Sequence, residues 1–321
     1  MIIKKNKIKK IIIILVGIAI ILLGVLFLLQ KRNNYPEEGE IETNLGTTQT
    51  ALDVSEISDN WSNKVPLYTI NKESGRENVE KIINEMSYTL TATFPGVSGN
   101  VVWSEGDTEF KYNSAEGILT FNLEQGLKLE EGEAGFSSFF REYLDLDYDF
   151  EISSQLEFNS GEIVYNADRL LKGVPVERGV VYDYTDSLRY NKEGLLIGGT
   201  LLVVTLEQSN ESIPLISRNE LTKYINFEEY PKERYIDISS LMDTINIPYV
   251  DPRWSEIEQS AANCEASSCE LIFLIKGTTQ KYLFPTLKID AECEVSLKLE
   301  VYPVSGTFLV SAVKPEYVAS E

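Results

Sequence analysis

The chain contains no histidine, which removes Ser-His-Asp and Cys-His nucleophile pairs, imidazole general acid–base chemistry and most zinc sites together. Fifty Asp and Glu residues make some close carboxylates inevitable, so proximity of two acids does not by itself point to hydrolysis. No spacing singles out a Ser-Lys pair. The sequence therefore predicts no catalytic residue, and a hydrolase without histidine is the least favoured reading.

One acidic run has regular spacing. Asp145, Asp147, Asp149 and Glu151 recur at period two, so on a strand they share one face, opposite Leu146, Tyr148 and Phe150. Such a face offers oxygen ligands to a hard cation, and calcium is the single cofactor candidate. The twelve-residue calcium loop fails, because Phe150 stands where its turn glycine belongs and Leu156 where its bidentate glutamate belongs. A charged strand protecting a sheet edge is the favoured alternative.

Three cysteines are too few to staple a chain of 321 residues, which is long enough to bury a core without them. Cys264 and Cys269 can close a small loop and leave Cys293 free, or Cys269 can reach Cys293 across neighbouring strands. Both pairings stay open. Gly194, Gly198 and Gly199 flank a strand without forming a phosphate-binding glycine motif, and are read as turn residues. Asn60-Trp-Ser62 and Asn210-Glu-Ser212 match a glycosylation acceptor that arises often by chance. The 17 Tyr and 13 Phe fall in strand-like segments, where aromatic residues fill a sheet face.

The elements that carry these residues begin with an anchor. Residues 11–29, IIIILVGIAIILLGVLFLL, are uncharged and apolar, and at ~1.5 Å per residue they match a hydrocarbon core of ~30 Å. No polar stripe breaks the run, as it would in a globular helix. Lys4, Lys5, Lys7, Lys9 and Lys10 precede it, whereas Lys31 and Arg32 are soon followed by Glu37, Glu38, Glu40 and Glu42. The N-terminus is therefore expected in the cytoplasm and the rest outside. The run exceeds a signal-peptide core and no small-residue cleavage site follows closely, so it reads as uncleaved. Residues 1–32 hold seven of the 29 basic residues and no acid, leaving 22 against 50 in residues 33–321. An exterior so acidic repels nucleic acid, which is excluded as a partner.

Six segments follow. Residues 1–10 are a basic cytoplasmic tail, 11–29 the transmembrane anchor in contact with the lipid bilayer, and 30–60 a polar stalk. Residues 61–135 form a first α+β unit, with a helix from Asn78 to Met86 and a hairpin turning at Asn113–Gly117. Residues 136–232 form a second, led by a helix on which Phe136, Phe139, Phe140 and Leu144 share a face. Ser217 caps a further short helix through Tyr224, with Glu220 closing a capping box. Residues 233–321 are a β-rich C-terminal unit. The expected fold class is α+β, an N-terminal transmembrane helix followed by antiparallel β-sheet units, each packed with a short helix.

Several segments carry a resemblance: Tyr165 followed by Gly173-Val-Pro-Val176, then Tyr182-Asp-Tyr184, the turn Asn191-Lys-Glu-Gly194, Ile216-Ser-Arg-Asn-Glu-Leu221 opening a helix, and Leu283–Ile289 with Thr307–Ala312 as a closing strand pair. In this order they resemble the membrane-anchored YycI/YycH regulators, whose extracytoplasmic modules are related to PepSY-type domains. That resemblance implies a non-enzymatic regulatory protein of the cell envelope, contacting a membrane or envelope protein such as a sensor histidine kinase. It transfers no catalytic residue. The competing expectation is a cell-surface module that binds a cation, a peptide or a wall fragment.

Overall fold

The structure, a computed structural model, describes residues 52–314, apart from residues 56, 58–60, 72, 94–98, 180–184, 226–231, 245–252, 279 and 298–299. The anchor expected at residues 11–29, the basic tail and most of the stalk lie outside the described residues. Among the described residues no helix is long and apolar enough to cross a membrane. Where the stalk range ends, Leu52, Val54 and Ile57 are buried.

Two large hydrophobic cores organise the described residues, beside a small cluster of Ile272, Leu274 and Leu309. The first gathers helices α1 (Ser74–Glu85) and α2 (Gly132–Leu144) against strands β4 (Val101–Glu105), β5 (Thr108–Asn113), β6 (Ile118–Lys128), β7 (Asp149–Glu157), β8 (Ile163–Leu171), β10 (Asp186–Tyr190) and β11 (Leu195–Leu202), with the exposed edge strand β3 (Thr91–Thr93) beyond β4. Helical spacing dictates the contact: Val79, Ile82 and Ile83 of α1, and Phe136, Phe139, Phe140 and Leu144 of α2, are all buried. Their partners are the inward residues of the alternating strands, so Phe110 stacks on Phe121 at 5.8 Å and Phe121 on Phe139 at 5.7 Å. Each such ring contributes roughly 1.5–3 kcal/mol of burial.

The second core takes in β1 (Leu52–Asp53), β2 (Lys64–Asn71), β9 (Val174–Glu177), β12 (Thr205–Pro214), α3 (Arg218–Tyr224), β13 (Lys232–Asp237), α4 (Ser239–Thr244), α5 (Arg253–Gln259), β14 (Ala262–Leu274), β15 (Phe284–Leu297) and β16 (Glu300–Ser311). The capping box at α3 is formed as expected: Glu220 N–H donates to Ser217 Oγ and Ser217 N–H to Glu220 Oε2. Strands β2 and β12 make a separate two-stranded sheet.

The expectation of an α+β fold built of separate antiparallel units is corrected: the described residues are mostly strand, with five short helices. One mixed sheet of 14 strands runs through both cores in the order β13-β16-β15-β14-β9-β8-β10-β11-β6-β5-β4-β3, with β7 also on β8 and β1 on β14. Short links do make antiparallel neighbours, but β14 pairs in parallel with β9, Phe273 opposite Val176, and with β1, Leu52 opposite Cys264. These pairings join segments about a hundred or more residues apart, which no local link length constrains.

The cysteine expectation is corrected as well. The disulfide joins Cys264 to Cys293, 29 residues apart, and Cys269 is free. Neither expected pairing forms, because Cys264 and Cys269 lie on one continuous strand, β14, whose register sets Glu265 opposite Glu292 and Cys269 opposite Ile289. That register brings Cys264 and Cys293 side by side with a Cα separation of 4.0 Å. Gly306 on β16 completes the arrangement, since a Cβ there would stand 2.9 Å from Cys293 Sγ.

Candidate binding cleft

While one face of the first-core strands packs on α1 and α2, the opposite face carries two rows of side chains laid across the strands. The ladder register aligns Val164, Arg189, Gly198, Asn122 and Glu109 in one row. It aligns Asn166, Ser187, Thr200, Thr120 and Lys111 in the other. Leu156 and Ser154 of β7 extend the two rows at one end. Because β-strand side chains alternate, the residues between the rows, among them Leu188, Phe121 and Phe110, point into the first core.

Gly198 shapes this floor. It lies inside β11, next to a register shift between Leu196 and Gly198, and its missing side chain lets Arg189 lie across the strand. Arg189 Nη2 thereby donates to Asn122 Oδ1 at 2.6 Å, and Asn122 Nδ2 donates to Asp107 O at 3.0 Å. Alongside, Lys111 Nζ sits 2.6 Å from Glu109 Oε1, and Asn166 Nδ2 donates to Ser154 Oγ at 2.9 Å.

The second core supplies a wall. After β14 the chain passes Ile275, Lys276 and Gly277 and is fastened to the β5–β6 turn, where Thr278 N–H donates to Ala115 O at 2.9 Å and Thr278 Oγ1 to Ser114 O at 2.6 Å. Gly277, at φ +132°, is required here: a Cβ would meet Ala115 O at 2.7 Å. Ile275 N–H donates to Glu177 O, extending the parallel β9–β14 contact. Behind it Lys288 Nζ donates to both Glu177 carboxylate oxygens at 3.0 Å, so that buried acid is neutralised.

Floor and wall enclose a cleft of about 480 Å³ bounded by Glu116, Ile118, Thr120, Arg178, Thr200, Ile275, Lys276 and Gly277. Through Thr120 and Thr200 it continues into a shallower hollow of about 270 Å³ over both rows. Four cations, Lys111, Arg178, Arg189 and Lys276, face two carboxylates, Glu109 and Glu116, in a chain whose net charge is −21. The cleft is thus a locally cationic, hydroxyl- and amide-lined surface that offers both donors and acceptors. The hydroxyls of Ser187, Thr120 and Thr200 lie in this surface among the basic side chains of Lys111 and Arg189.

The residues singled out by sequence lie elsewhere. Asp145, in the left-handed conformation at φ 54°, ends α2 and pairs with Lys81. Asp147 follows in the connection to β7, and Asp149 and Glu151 lie on β7 itself, a strand paired with β8 alone. All four are exposed, alternating with the more buried Leu146, Tyr148 and Phe150. No group of three or more potential ligands suited to a metal ion occurs among the described residues. Cys264 and Cys293 are bonded to each other, and burial pushes the Cys269 thiol up to about 12, with Asp290 and Glu270 adding to the shift, which leaves it a poor nucleophile. Gly194 is a turn residue at φ +73°, but Gly198 and Gly199 are inside β11. A glycine pair within a strand run is the one sequence signal that marks this surface.

No family model matches the chain, and no curated protein matches it. Among solved structures it is similar to an uncharacterized protein from Eubacterium rectale ATCC 33656, with a TM-score of 0.44, 8% identity, and coverage of 83% of this chain and 88% of that one.

Proposed function

We propose that this chain is a non-catalytic binding module held on the outer side of a cell membrane by residues 11–29, and that it engages its partner through the cleft between the two cores. The observation that carries the reading is the convergence of two cross-strand rows and a wall from the second core on one polar hollow; junctions between packed units are where binding sites concentrate. The missing histidines speak against an enzyme. A disulfide buried between β14 and β15 suits an oxidising exterior, and the basic residues before the apolar run suit an N-terminus inside. The partner is a membrane or envelope protein, for which the YycI/YycH resemblance suggests a sensor histidine kinase.

The test is site-specific photo-crosslinking of the full chain in native membranes. A photoreactive residue at Thr120, on the cleft floor, is expected to capture one discrete species. The same residue at Glu292, exposed on β15, is expected not to capture it. Equal capture at both positions, or none at Thr120, overturns the reading.

A further inference from the structure

Resting on the proposal that the cleft is the recognition site, we infer that its occupant is an extended peptide segment bearing carboxylates at one end of the surface and an apolar side chain at the other. The charge contrast points to the carboxylates. A surface on which four cations meet three acids, Glu109, Glu116 and the Glu233 paired with Lys276, in a chain of net charge −21, is more favourable to an anion than the acidic chain as a whole. Lys111 is held by Glu109, Lys276 by Glu233 and Arg189 by Asn122. An incoming carboxylate therefore meets cations already oriented, and exchanges with partners that are themselves exposed.

Spacing sets the length. From β5, which carries Lys111, to β10, which carries Arg189, there are three strand-to-strand steps, about 14 Å at ~4.8 Å each, or about four residues of extended chain at ~3.4 Å. Two further steps reach β8 and β7, where the row ends on Val164 and on Leu156, whose exposure of 51% is unusual for leucine among the described residues. The surface thus carries its cations over the first ~14 Å and, in one of its two rows, the apolar Val164 and Leu156 over the next ~10 Å, beside Asn166 and Ser154 in the other.

Composition selects peptide over polyanion. Between the cations lie Thr120, Thr200, Ser187 and Asn122, which donate and accept hydrogen bonds as peptide amides require. Glu109 and Glu116 penalise a ligand that carries negative charge at every unit, and a polyanion gains nothing from Val164 and Leu156.

The experiment is fluorescence anisotropy on the full-length protein in lipid nanodiscs. The probe is a fluorescein-labelled peptide of Glu, Ser and Leu with two glutamates four positions apart and a leucine three positions beyond. Saturable binding is expected, weakened about tenfold by Lys111→Gln with Arg189→Gln, as loss of charge-assisted contacts requires, and weakened also by Leu156→Ser. Unchanged melting temperatures of these surface variants exclude unfolding as the cause; if the double variant melts early, Arg189→Lys and a salt titration of the unaltered protein carry the same comparison. Equal binding of a peptide with lysine for glutamate, or indifference to the variants, overturns the inference. Variant-sensitive binding of linear polyphosphate in place of the peptide overturns the peptide class and leaves the cleft as the recognition site. No binding of either probe, with Thr120 crosslinking intact, overturns the inference alone; loss of both results overturns the proposed function too.

Discussion

Arg169 donates through Nη2 to both carboxylate oxygens of Asp186, at 3.2 and 3.1 Å, and both side chains are wholly buried. The same Nη2 donates to Leu202 O at 2.6 Å, while Leu202 N–H donates to Asp186 Oδ1 at 2.9 Å. The β10–β11 ladder runs only to Ser187 opposite Thr200, so this ion pair takes over the backbone of Leu202 where the chain leaves the first core for the second. Phe140 and Tyr148 hold the guanidinium from either ring at 4.4 and 4.5 Å. Burial pushes the Asp186 carboxyl above its usual range, against the pull of Arg169 and of Leu202 N–H.

Breaking that pair is expected to destabilise the fold severely. Asp186→Ala leaves a buried cation without its counter-charge, and Arg169→Ala a buried carboxylate, each worth about 3–5 kcal/mol. Arg169→Ala combined with Asp186→Ala is expected to cost less than the two singles added, by about 1–3 kcal/mol of coupling. Urea unfolding of the four proteins measures this, and strict additivity would refute it.

The capping box at α3 has a pH signature. Hydrogen bonds from Lys314 and from the backbone and side chain of Ser217 hold Glu220 down to about 2, against a usual 4.5. A carboxyl whose folded value is depressed stabilises the fold above its unfolded value, and that contribution is lost as pH falls through the folded one. The melting-temperature advantage over Glu220→Gln is therefore expected to be full at pH 6 and to fade between about pH 4.5 and 2. Ser217→Ala is expected to cost about 1 kcal/mol. A Glu220→Gln difference that persists unchanged at pH 2.5 would show that the charge is not what matters.

What was legible in the sequence was local. Helical spacing of Phe136, Phe139, Phe140 and Leu144 marked α2 and its buried face, and Ser217 with Glu220 marked the start of α3, because both signals are complete within one or two turns. Alternation marked the exposure of Asp147, Asp149 and Glu151. The single mixed sheet was not legible, since the parallel pairing of Phe273 with Val176 depends on segments 97 residues apart. Nor was the cleft: Arg189, Asn122 and Lys111 become neighbours only through the ladder register of four strands, and no short motif encodes a register.

The disulfide gives a redox prediction. Crosslinking residues 29 apart restricts the unfolded chain enough to stabilise the fold by about 3–4 kcal/mol. Cys264→Ala with Cys293→Ala, or reduction of the native protein, is expected to lower the urea midpoint by a corresponding amount. Cys269→Ser is expected to keep the full response to reductant, because the half-buried Cys269 thiol takes no part in the bond. Loss of the reductant response in Cys269→Ser would instead place Cys269 in the bond.

Gly198 ties stability to the cleft. A Cβ at this position would stand 2.6 Å from Phe121 O and 3.1 Å from Arg189 Nη2; the first contact is with backbone that cannot swing away, so β11 or β6 must shift. Gly198→Ala is expected to cost about 1–3 kcal/mol, the usual range for forcing a group into packed structure. It also displaces the guanidinium that donates to Asn122, and thereby lowers the yield of the Thr120 crosslink. Arg189→Ala with Gly198→Ala separates the two effects: once the guanidinium is gone, the glycine substitution is expected to retain its cost in urea unfolding while having no further effect on capture. An equal stability of Gly198→Ala and the unaltered protein would show that the two strands yield at this point, and that Gly198 is not what shapes the floor.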